Sequence, residues 1–212
     1  MRRAAISIIF VMASLVPALA QSATKARQRQ TPDWPCVAIK VPEISLPAVW
    51  NGPALDGIPP GAWREDPALA ELVPRLALRR IPLEEAEAAV KDFAAKSGAA
   101  KREKLLVLFA GLFETMAQER ATVVAGLERF GRRQKELADQ IRAETADMRA
   151  AMDQGESNAA KTEELTGRLT WDMRIFEDKR KSVSFVCETP VLIEQRLFAL
   201  GRAIQGQIDL SP

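Results

Sequence analysis

Residues 101–153 read KREKLLVLFAGLFETMAQERATVVAGLERFGRRQKELADQIRAETADMRAAMD, a stretch without a proline. As one helix it would span ~80 Å, too long to be buried in a domain of this size. Its apolar pattern changes along its length. Leu105, Leu106, Leu108, Phe109, Leu112 and Phe113 form a wide face, which suits a multi-helix bundle. Beyond them the face narrows to one line: Met116, Arg120, Val123, Leu127, Phe130, Gln134, Leu137, Ile141, Glu144, Met148 and Ala151. Steps of four and three alternate, a period of ~3.5 residues and the mark of a coiled-coil seam.

Gln154-Gly155-Glu156-Ser157-Asn158 predicts a turn. The same period then resumes through Leu165, Leu169, Asp172, Phe176, Lys179, Val183, Val186, Pro190, Ile193, Leu197, Leu200 and Ile204. Folding the chain back about residue 156 sets Leu137 against Phe176, Phe130 against Val183, Met116 against Leu197 and Phe109 against Ile204. Residues 98–208 therefore read as a long antiparallel helical hairpin with its turn near 154–158, in an all-α fold. Gln134, Glu144, Asp172 and Lys179 weaken the outer seam and set its register. Thr189-Pro190 predicts a kink or break in the return arm.

Two shorter helices precede the hairpin, within residues 66–97, and are expected to pack on its base. Asp66-Pro67 is a cap followed by proline at the first helical position. Leu69, Leu72, Val73 and Leu76 give that helix a short apolar face, interrupted by Pro74. Ile81-Pro82 opens the second, with Glu84 and Glu85 at the positive end of its dipole. Ser97-Gly98 stops it.

Residues 32–65 hold Pro32, Pro35, Pro42, Pro47, Pro53, Pro59 and Pro60, so no ordinary helix runs through them. Trp34, Val37, Ile39, Val41, Ile44, Leu46, Val49, Trp50 and Trp63 are interleaved. A solvated linker would not carry three tryptophans. The segment reads as an extended strap lying on an apolar surface, with turns at Asn51-Gly52 and Asp56-Gly57. Residues 21–31 are polar and aperiodic, a disordered lead.

The first twenty residues set the compartment. Met1-Arg2-Arg3 is a basic start, Ala4 to Val16 is apolar, and Ala18-Leu19-Ala20 precedes Gln21. That is the layout of a secretory signal peptide. The apolar run is too short for the ~30 Å hydrocarbon core, and no later stretch reaches the length of a membrane span. The expected location is the periplasm, or outside the cell. The chain has 30 basic and 28 acidic residues. Arg2 and Arg3 leave with the signal, so the remainder is neutral. A neutral chain is a poor nucleic-acid binder. The cluster Arg129, Arg132, Arg133 and Lys135 is flanked by acidic residues and reads as a solvated helix face.

Cys36 and Cys187 are the two cysteines. In an exported chain they suggest one bridge, stapling the start of the strap to the middle of the hairpin. An intermolecular bridge or free thiols, and a redox-active pair, are the alternatives. The last is disfavoured because the spacing is not Cys-x-x-Cys and no cation neighbours Trp34-Pro35-Cys36. In the folded-back alignment Cys187 lies level with Gly126, whose missing side chain could admit the strap.

No histidine occurs in the chain. That removes the commonest general base and metal ligand and any Ser-His-Asp triad. Glycine-rich phosphate loops are missing, and the carboxylate pairs Glu84/Glu85 and Glu163/Glu164 fall in exposed helix turns. No catalytic residue, cofactor or metal is expected. The architecture resembles, in general outline, the periplasmic helical hairpins that adaptor and chaperone proteins use as arms, without room for the lipoyl-type or β-barrel portions that accompany an adaptor hairpin. The expectation is a non-enzymatic interaction or scaffold protein acting through its hairpin, with another envelope protein or a second copy as partner. The alternative is a holdase-like chaperone or envelope-stress sensor. Candidate contacts are Trp50 on the strap, Trp171 on the outer arm, and Gln154 and Asn158 at the tip.

Overall fold

The computed structural model describes residues 32–155 and 159–209. The stretches read as signal peptide and polar lead, and Asn158 at the tip, lie outside the described residues. The elements run α1 (Leu46–Val49), a 3-10 turn (Ala62–Arg64), α2 (Pro67–Ala77), α3 (Leu83–Lys96), a 3-10 turn (Gly98–Ala100), α4 (Lys101–Asp153) and α5 (Ala159–Asp209). No strand occurs among the described residues.

The proline-free stretch forms one uninterrupted helix, α4, and α5 returns antiparallel beside it. Side-chain pairs fix the register. Gln134 donates to the Phe176 carbonyl at 3.3 Å, Gln140 to Asp172 at 2.8 Å, and Arg168 to Glu144 at 3.1 Å. Nearer the base Arg120 pairs with Glu194. Each pair falls within one helical turn of the register expected from folding about residue 156. Three of the four polar seam residues thus make cross-arm bonds. Glu144 is buried, while Lys179 is exposed.

At the base the two arms meet α2, α3 and the lower strap. Leu105, Leu108, Phe109, Leu112 and Met116 from α4 are fully buried with Ile193, Leu197, Leu200 and Ile204 from α5. Against them pack Leu69, Val73 and Leu76 of α2 and Ala86, Val90 and Ala94 of α3. The wide face of α4 therefore sits in a multi-helix core, and the narrow seam runs out along a two-helix arm. Arg196 of α5 donates to the carbonyls of Leu76 at 2.9 Å and Ile81 at 2.9 Å, closing the α2–α3 connection from beneath. Burial pulls its pKa below the usual arginine range.

Of two prolines inside helices, one was expected to break its helix. Pro74 lies inside α2 and Pro190 inside α5, and neither ends its helix. The break expected at Thr189-Pro190 is absent. A proline within a helix costs ~3 kcal/mol. Burial of Leu69, Val73 and Leu76, at ~2 kcal/mol apiece, outweighs that for α2. Pro190 is itself buried, and Ile193 and Leu197 follow it into the core, so the same balance holds α5 together. The strap, conversely, is not extended throughout. Pro47 sits in the first turn of α1, where its missing N–H has no cost, and Ala62–Arg64 makes a further short turn.

Candidate functional site

The strap grips the rod at two levels. The lower level is apolar. Trp50 stacks on Phe109 with ring centroids 4.0 Å apart, and its indole N–H donates to the Pro53 carbonyl at 2.8 Å. Trp63 covers Gly111 of α4, where a Cβ would collide with the indole. The Val49 carbonyl and the Phe109 ring close on Gly201 of α5 in the same manner. Glu114 gathers the turn above: it accepts from the Gly61 N–H at 2.9 Å, from the Trp63 indole at 3.3 Å and from Arg64 at 2.9 Å. Burial works to raise the Glu114 pKa, but Arg64, the Gly61 N–H and the Trp63 indole together hold it below the ordinary carboxylate value.

The upper level, the waist, is covalent and polar. Cys36 and Cys187 form a disulfide with Cα atoms 5.6 Å apart. Asp33 lies beside Lys135 at 3.3 Å and Arg132 at 3.8 Å. Lys40 pairs with Glu128, and Arg120, buried in the seam, donates to the Pro42 carbonyl at 3.1 Å. The strap thus descends α4 from Lys135 to Arg120 as its own numbering rises from 33 to 42.

The glycine beneath the strap is Gly131, not Gly126. The Asp33 carbonyl packs directly onto Gly131, leaving no room for a Cβ, whereas a Cβ on Gly126 would meet only the Arg129 side chain at 3.8 Å. The strap enters nearer the tip than the level of Cys187 because Asp33 reaches up toward Arg132 and Lys135, ahead of Cys36.

Of the four candidate contacts, Trp171 is 61% exposed on the outer arm. Gln154 ends α4 and is exposed. Trp50 is only 7% exposed and belongs to the core, so it is withdrawn as a contact: stacking on Phe109 consumes its surface. Asn158 is not among the described residues. Residues that the sequence reading did not single out as site-forming are Asp33, Lys40, Glu128, Gly131 and Arg196. Gly131 lies in mid-helix, far from any turn, but so does Gly126, so a glycine by itself does not mark which position the strap covers. Met173 and Phe185 are further exposed apolar residues on α5.

Among the described residues no group of histidine, cysteine, aspartate and glutamate could hold a metal ion, and no helix is long and apolar enough to cross a membrane. No protein-family model, curated protein or solved structure matches the chain.

Proposed function

We propose that the chain is an exported, non-enzymatic scaffold that binds another envelope protein through the outer arm of its hairpin, with Trp171 as the anchor. The observation that carries this reading is a tryptophan 61% exposed on a rod whose base is firmly packed. Tryptophan is enriched at interface hot spots. The Cys36–Cys187 disulfide fits an oxidising compartment, in keeping with the signal-like start. The full chain has no histidine to act as base or nucleophile partner.

The test is a photo-crosslinking residue at Trp171, and a second at Gln154, in protein expressed with its own leader. A stoichiometric adduct from position 171 that Trp171→Ala abolishes in pull-down supports the reading. An adduct of twice the chain mass identifies a second copy as the partner. Absence of any adduct at either position across several growth conditions counts against it. The holdase reading would need apolar inner faces open to a client. The arms instead close on one another, with Leu127 and Leu165 buried between them, so no observation favours it.

A further inference from the structure

The upper strap is built inside out. Along residues 36–42, Cys36 is buried and Lys40 points inward to Glu128, while Val37, Ile39 and Val41 are 98%, 64% and 52% exposed. The chain bends at residues 36–38, and those three apolar side chains face solvent on either side of the inward Lys40. Apolar burial therefore contributes little to holding this segment down. Its fastenings include the disulfide, the Asp33 pairs with Arg132 and Lys135, the Lys40–Glu128 pair and the Pro42 carbonyl on Arg120. Arg132 and Lys135 are exposed, and solvated ion pairs of that kind are weak fastenings.

Below Ile44 the situation reverses. Ile44, Leu46, Val49, Trp50 and Trp63 all belong to or pack on the main core, and none of residues 32–43 does. Val124 and Leu127 of α4, buried at the waist, also lie outside that core. Residues 32–43 thus add no side chain to the main core.

We infer that the Cys36–Cys187 disulfide is a redox latch: its reduction frees residues 32–43 about Ile44 while the helical body stays folded. The reductant is a protein dithiol. Its thiolate attacks Sγ of Cys187, the less buried partner, and displaces Cys36 as a thiolate that takes up a proton. The second thiol of the reductant then resolves the mixed disulfide. Cys187 leaves as a thiol, and the reductant becomes the disulfide. Release uncovers the notch at Gly131 that the Asp33 carbonyl fills, and turns loose a segment carrying Val37, Ile39 and Val41. This inference stands apart from the role of Trp171 and holds whether or not that residue binds a partner.

Trypsin reads the latch directly, because Lys40 is held against Glu128 while the strap is down. Full-length protein is compared oxidised, after a thioredoxin-type dithiol, and as the double variant Cys36→Ser/Cys187→Ser. The expected result is cleavage after Lys40 at least about tenfold faster in the reduced and variant forms, as local opening requires, with helical circular dichroism unchanged. Equal protection of Lys40 in all three forms would overturn the latch, since the strap would then stay down unaided. Loss of helicity alongside cleavage would overturn it too, since the bond would then be holding the whole fold. A bond that the dithiol reduces only after denaturation would overturn it as well.

Discussion

The Asp33 carbonyl rests directly on Gly131, in the middle of a 53-residue helix, and no side chain fits between them. Two glycines of one helix can therefore be told apart by what stands above them. Gly131→Ala must push the strap away and is expected to cost about 1–3 kcal/mol. Gly126→Ala meets no backbone and gains helix propensity, so it should stabilise by about 0.5–1 kcal/mol. Thermal or urea unfolding of the two variants gives opposite signs. Equal signs would mean that the strap does not sit where Asp33 places it.

Trp50 and Trp171 should separate stability from binding. Trp50→Ala removes a ring stacked in the core and is expected to cost about 3–5 kcal/mol. Trp171→Ala touches an exposed side chain and should shift stability by no more than about 0.5 kcal/mol. Denaturant midpoints check both. A large loss at Trp171 would show that the residue is covered in solution, for instance by a second copy.

Arg196 holds the α2–α3 connection by two backbone carbonyls. Arg196→Met keeps much of the apolar stem and leaves those carbonyls unpaired, with an expected cost of about 1–3 kcal/mol. Hydrogen exchange should rise across residues 76–83 and little elsewhere. Exchange spread evenly over the molecule would argue that Arg196 supports the core at large.

Two carboxylates tie the base to acid. Asp66 caps α2 through the Ala68 N–H and pairs with Lys104 at 2.8 Å, and Lys104 foremost holds its pKa low. Glu114 is held low by the Arg64 and Gly61 contacts against its burial. A group whose folded pKa is depressed lends stability that is full above its unfolded pKa and lost as pH falls through the folded one. Stability should be level from neutrality down to the ordinary carboxylate range and decline below it. Glu114→Gln should lose part of that acid slope. The effect should be small and shrink with added salt, because the Glu114 and Lys104 side chains are each more than a third exposed. A slope untouched by Glu114→Gln would assign it to other groups.

The hairpin was legible because a seam repeats: each step of three or four restates the same face, so α4, α5 and their register follow from many residues at once. The caps at Asp66 and the stop at Ser97-Gly98 were legible from local chemistry. Pro190 misled as to a break, because it reports a local cost while the burial that offsets it is tertiary. Trp50 misled for a related reason. An aromatic in a proline-rich segment looks the same in sequence whether Phe109 lies beneath it or not. The strap's path over Gly131 was hidden because it depends on Asp33 finding Lys135, a pairing across 102 positions that no periodicity encodes.

The disulfide joins residues 151 positions apart, so it turns most of the molecule into a closed covalent ring. A protease that cuts that ring once, at Arg149 or Lys161 beside the tip, linearises it without dividing it. The two pieces remain one molecule on a non-reducing gel and part when thiol is added. A chain nicked at its far end can therefore keep its base assembled.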